Sequence, residues 1–127
     1  MAVKKTVVIK TKKVVSSATL PTYVKGSASI ALYSSIRRKL AGNTIGVIPT
    51  GVSLDIPEGN YLYITNSRTF GSNNTLSVKT EIIENGKTGE VDILMANTGP
   101  YPIDVPAGTE IARGILTPIP SIKIEEV

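Results

Sequence analysis

The stretch VIPTGVSLDIPEGNY, Val47 to Tyr61, decides the fold. From Val47 to Ile56, apolar side chains alternate with polar or small ones, the period of a strand with one face buried. Pro57, Glu58, Gly59 and Asn60 then supply a tight turn before a second alternating run, Asn60 to Thr65. The same texture extends in both directions. Val, Ile and Thr are plentiful, and Pro21, Gly26, Gly42, Asn43, Gly71, Gly86, Gly99 and Gly108 interrupt short apolar runs. Many short strands so punctuated predict an all-β sandwich or barrel. Glu90 to Ala96 is apolar on both faces, which places it inside a closed or doubly covered sheet. Asn85-Gly86 reads as the turn of a hairpin joining the flanking strands. Ser34 to Leu40 has only Ile36 and Leu40 as anchors around three adjacent cations and reads as a loop or a single turn. No repeat or linker is visible, so residues 1–127 read as one β domain.

Composition narrows the chemistry. The chain has 127 residues with no Cys and no His. This excludes a disulfide framework, a zinc-thiolate site, a thiol nucleophile and an imidazole base. Any chemistry falls to carboxylates, hydroxyls, Lys or Arg. No apolar run suits a signal peptide or a membrane span, so the chain reads as cytoplasmic in the producing cell. The net charge of +4 hides a split. Residues 1–54 hold nine cations and no carboxylate, whereas residues 55–127 hold five cations and ten carboxylates. Lys4, Lys5, Lys10, Lys12, Lys13, Arg37, Arg38 and Lys39 are the candidate partner contacts of the basic part. Nucleic acid is one possible partner, disfavoured because only Tyr23 and Tyr33 offer stacking surfaces there. A lysine-protected edge strand and an exposed loop are the simpler readings of these charges. Tyr61 and Tyr63 alternate on one strand and read as packing residues.

In chain order, KKTVVIK (Lys4 to Lys10), LPTYVKGSA (Leu20 to Ala28), Val47 to Tyr61, GEVDILMANTG (Gly89 to Gly99) and GTEIARGILTPI (Gly108 to Ile119) resemble the trimeric dUTPase family. The resemblance implies a β-barrel or jelly-roll subunit of the β-clip type and a homotrimer. It also implies a C-terminal strand, here Pro120 to Val127, exchanged between subunits. Family members cleave a nucleoside triphosphate between its α- and β-phosphates, using a magnesium-bound triphosphate and a carboxylate that activates water.

The family's site residues carry over unevenly. Ala31 stands where an Asp would help place the metal, and a methyl group cannot support hydrated magnesium. Arg68, Thr69 and Gly71 match the phosphate-holding turn, with Phe70 inserted between hydroxyl and glycine. Glu84 falls at the general-base position and Lys87 at the position of a base-stacking Tyr, in what looks like a tightened hairpin. The fourth motif keeps its turn and core residues from Gly108 to Arg113 while its polar ones change. The glycine-rich closing arm of the fifth is not found in the sequence. The motifs of dCTP deamination, the sister activity on this fold, are missing as well.

Turn and core residues thus match better than metal, phosphate and base contacts. The expectation drawn from that contrast is a non-catalytic homotrimer with no metal and no cofactor. It would be a structural or interaction protein of phage or viral origin, such as a capsid decoration or attachment protein in a virion. One alternative is a divergent dUTP diphosphatase using Glu84 as base with Arg68 and Thr69 at phosphate. Another is a soluble regulator binding a host protein or nucleic acid.

Overall fold

A computed structural model describes residues 6–67 and 75–127. Among them the chain is strand and turn with no helix. The strands are β1 (Lys10–Lys13), β2 (Thr22–Tyr23), β3 (Ser29–Tyr33), β4 (Arg38–Leu40), β5 (Thr44–Pro49) and β6 (Val52–Asp55). They continue with β7 (Asn60–Asn66), β8 (Leu76–Val78), β9 (Glu81–Glu84), β10 (Asp92–Asn97), β11 (Ile103–Val105) and β12 (Glu110–Pro118). They form a five-stranded sheet in the order β2-β3-β12-β7-β9, a three-stranded sheet β5-β10-β8, and two ribbons, β1-β6 and β11-β4. All pairings are antiparallel. The architecture is all-β and jelly-roll-like; among the described residues the sheets do not close into one barrel.

Alternation explains which face goes inward. On β7, Leu62 and Ile64 are fully buried, while Tyr61, Tyr63 and Thr65 face outward. Leu62 and Ile64 join Leu32, Ile83 and Ala112 of the same sheet and Ile48, Ile93 and Met95 of the three-stranded sheet in one apolar cluster. Each fully buried large side chain contributes roughly 1.5–3 kcal/mol of transfer free energy. Gly46, opposite Met95, leaves the space that the Leu40 side chain fills.

Polar ties fix the sheets to one another. Asn97, at the end of β10, donates from Nδ2 to the carbonyls of Leu40, Ala41 and Tyr101 at 3.2, 3.3 and 2.8 Å and accepts from the Gly99 amide at 3.1 Å. Thr50 Oγ1 donates to Val91 O at 2.7 Å. The amide of Val78 donates to Asn66 Oδ1 at 2.7 Å, coupling β8 to the end of β7.

Three local expectations change. Asn85-Gly86 does turn the chain, with Gly86 at φ +92° and the Lys87 amide on Glu84 O at 3.3 Å. It does not make a hairpin, because β9 pairs with β7 while β10 pairs with β5 and β8. The Asn85 side chain donates to Ile56 O at 2.6 Å, which anchors the turn where the chain passes between sheets. The segment Ser34 to Leu40 ends in β4, paired with β11, so Arg38 and Lys39 are strand residues rather than loop residues. Val91, just before β10, and Ile93 and Met95 on it line the interior as an alternating strand should, but Leu94 is 40% exposed. Its outer neighbours Val47 and Ile45 are exposed too, so in a single chain this face is uncovered.

Candidate functional site

The outer face of the five-stranded sheet carries two of the candidate residues, Ala31 and Glu84. At its centre, Arg113 of β12 stands opposite Ala31 of β3 on one side and Thr65 of β7 on the other. A register shift between Glu110 and Ala112 interrupts the pairing with β3, a bulge that re-aims the start of β12. The turn before it is held by Ser34, whose Oγ donates to Pro106 O at 2.8 Å and accepts from the Thr109 amide at 3.2 Å. Gly108, at φ +77°, completes this turn.

That placement makes a polar cluster. The Ser67 hydroxyl donates to Glu110 Oε2 at 2.6 Å, and Arg113 Nη2 lies 3.5 Å from Glu110 Oε1. Both members of the ion pair are largely buried, with side chains 18% and 17% exposed. Arg113 Nε is sealed from solvent and has no hydrogen-bond acceptor. Nearby on the same face, Thr22 Oγ1 and Tyr33 Oη share a hydrogen bond of 2.7 Å.

Ala31 is buried beside this cluster. Glu84 is exposed at the end of β9 on the same outer face, opposite Tyr61. Tyr61 lies four residues along β7 from Thr65, so Glu84 is displaced roughly 13 Å along the sheet from Arg113. Lys87 lies elsewhere, lining an open cleft of about 330 Å³ with Lys10, Lys12, Ser53, Asp55 and Gly86. Arg68, Thr69 and Gly71 lie outside the described residues. The structure therefore gathers Ala31 with three residues that sequence reasoning did not single out, Ser67, Glu110 and Arg113. For Glu110 and Arg113 the signal lies in the changed polar positions of the fourth motif, whereas no motif marks Ser67. Among the described residues no three acidic side chains come together to hold a metal.

Of the candidate partner contacts, Lys10, Lys12 and Lys13 are exposed along β1, and Lys4 and Lys5 lie outside the described residues. Arg37 donates from Nε to Asp104 at 2.8 Å. That hydrogen bond, and then the attraction of the carboxylate, hold its guanidinium pKa above the ordinary value.

The dUTPase family model matches residues 16–127. The chain belongs to the dUTPase family. Among curated relatives, deoxyuridine 5'-triphosphate nucleotidohydrolase of Clostridium tetani is 29% identical over 122 residues, covering 94% of this chain and 84% of its own. The enzyme of the same name from Trichodesmium erythraeum is 28% identical, with 94% and 86% covered. Among solved structures, the dUTPase of phage phi11 of S. aureus superposes with a TM-score of 0.84 at 19% identity, covering 94% of this chain and 96% of that one. The dUTPase of Staphylococcus bacteriophage 80alpha, solved with dUpNHpp, gives 0.85 at 21% identity, with 96% and 97% covered.

These relatives overturn the expectation of a non-enzymatic structural protein. Proteins aligned along nearly the whole of this dUTPase-family chain carry the name of a hydrolase. The expectation counted each replaced polar side chain as a lost function. A site spread over a sheet face can keep its charge balance with other residues, and Arg113, paired with Glu110, is a cation at a changed position of the fourth motif.

Proposed function

We propose that this chain is a divergent dUTP diphosphatase, releasing pyrophosphate from dUTP and leaving dUMP. The observation that carries the reading is the family match over residues 16–127, together with relatives bearing the enzyme's name over most of the chain. In the reaction, water attacks the α-phosphorus, the bond from that phosphorus to the α,β-bridging oxygen breaks, and pyrophosphate leaves. Glu84 is the carboxylate we assign to take the proton of the attacking water. Its exposed position at a strand end is open to substrate.

We further propose that the working form is a homotrimer with exchanged C-terminal strands. Three features support it. Residues 120–127 are exposed and belong to no strand of the chain, with Ile122 79% and Ile124 92% exposed. The outer face of β5 and β10 presents Ile45, Val47 and Leu94. Glu84 and Arg113 are too far apart on one chain to meet the same small group, which a site shared between subunits would remedy.

Incubation with dUTP and magnesium, with pyrophosphate measured, tests the reaction. Turnover that falls about 10²- to 10⁴-fold in Glu84→Gln is the expected outcome for loss of a general base. Absence of pyrophosphate release by the unaltered protein would sink the proposal.

A further inference from the structure

The magnesium implied by the dUTPase resemblance finds no carboxylate at position 31, and no acidic trio elsewhere among the described residues. What the sheet holds at that place is a cation of its own. Arg113 sits directly across the ladder from Ala31, which is buried and sets only a methyl group beside the arginine.

The guanidinium is held but under-satisfied. Its five N–H groups form a planar fork suited to carboxylate or phosphate oxygens. Nη2 meets Glu110 only at 3.5 Å, while Nε is buried without an acceptor. Glu110 makes its shorter contact elsewhere, taking the Ser67 hydroxyl at 2.6 Å. A buried donor left unpaired is destabilising. An arriving oxyanion that re-aims the fork removes that cost and gains charge-assisted hydrogen bonds.

We propose that Arg113 is a built-in cation for the phosphate chain of the ligand, so that this protein binds a nucleoside triphosphate without a divalent metal. The proposal rests on the outer sheet face being the nucleotide site, as under the proposed function. A guanidinium does by hydrogen bonding what a hydrated metal does by charge, and position 31 then needs no carboxylate.

The test is calorimetric titration with dUpNHpp, with magnesium and with excess EDTA, on the unaltered protein, Arg113→Lys and Arg113→Gln. The unaltered protein is expected to keep its affinity in EDTA. Arg113→Gln should bind about 10- to 100-fold more weakly, the range for lost hydrogen bonds to a charged group, with Arg113→Lys between them. Deoxyuridine, which lacks phosphate, should bind all three alike. If Arg113→Gln fails to fold, the double change Glu110→Gln with Arg113→Gln removes both charges of the ion pair together and takes its place. Loss of binding by the unaltered protein in EDTA, no binding under either condition, or equal binding by Arg113→Gln would each overturn the proposal. Arg113-dependent binding without pyrophosphate release from dUTP would defeat the proposed reaction and leave this inference standing. Turnover with Arg113→Gln binding undiminished would do the reverse.

Discussion

At Asn97 one side chain closes the hydrogen bonds of three carbonyls and one amide, all where β10 meets the chain around Leu40 and Tyr101. Asn97→Ala takes this partner from the Leu40 and Tyr101 carbonyls and the Gly99 amide, while the Ala41 carbonyl keeps the Thr44 hydroxyl at 2.7 Å. A loss of about 2–4 kcal/mol is expected, summed from the cost of unpaired buried groups, and the denaturation midpoint reports it. Glu90 behaves differently. Burial, followed by its hydrogen bond to Asp92 and the repulsion between the two carboxylates, raises its pKa above the ordinary value. The folded state therefore binds this proton more tightly than the unfolded state. Its contribution is fully present below the ordinary carboxylate range and is lost as pH rises through the raised pKa. Glu90→Gln should flatten the fall in melting temperature across that window, and an unchanged pH profile would contradict the assignment. Single residues were the least legible level of the sequence. That Asn97 is a hub, or that Arg113 is a half-satisfied cation, depends on what the register brings across the sheet, and no spacing along the chain announces it.

Elements were read better, with an instructive limit. The alternation of Val91, Ile93 and Met95 identifies the inward face of β10 and of the residue leading into it, and all three are about 1% exposed. Alternation fixes the face of a strand but not its neighbour. Thus Asn85-Gly86 looked like a hairpin turn and proved to be a passage between sheets. The candidate site divided in the same way: Glu84 and Lys87 are near in sequence, yet one lies on the outer sheet face and the other in the cleft beside β1 and β6. Gly114 on β12 gives an element-level test. A methyl added there would meet the Leu62 side chain at 2.8–3.0 Å inside the core. Gly114→Ala should destabilise by about 1–3 kcal/mol through overpacking, read from denaturant unfolding, and a neutral result would mean that β12 can shift against β7.

Over the whole molecule, the charge split of the sequence is partly undone by the fold. Lys10 pairs in register with Asp55, Lys39 with Asp104, and Arg37 bonds Asp104 directly. Basic and acidic parts of the chain are laid side by side, an arrangement that can also orient one subunit on another. Sedimentation or light scattering should give three times the 13.4 kDa chain mass, and a monomer would remove the strand-exchange proposal.

The sheet order carries a consequence for biosynthesis. Among the described strands only β2 and β3 are both consecutive and paired; every other pairing skips at least one strand. The last strand, β12, is the middle of the five-stranded sheet, clasped between β3 and β7. A chain emerging from the ribosome can pair β2 with β3 early, but the principal sheet has no centre until residues 110–118 are free. Closure must then wait for long loops to meet, the condition that slows folding to roughly milliseconds to seconds in β proteins. Before β12 arrives, β3 and β7 each expose an unpaired edge, so the nascent form is the one that most needs shielding from aggregation.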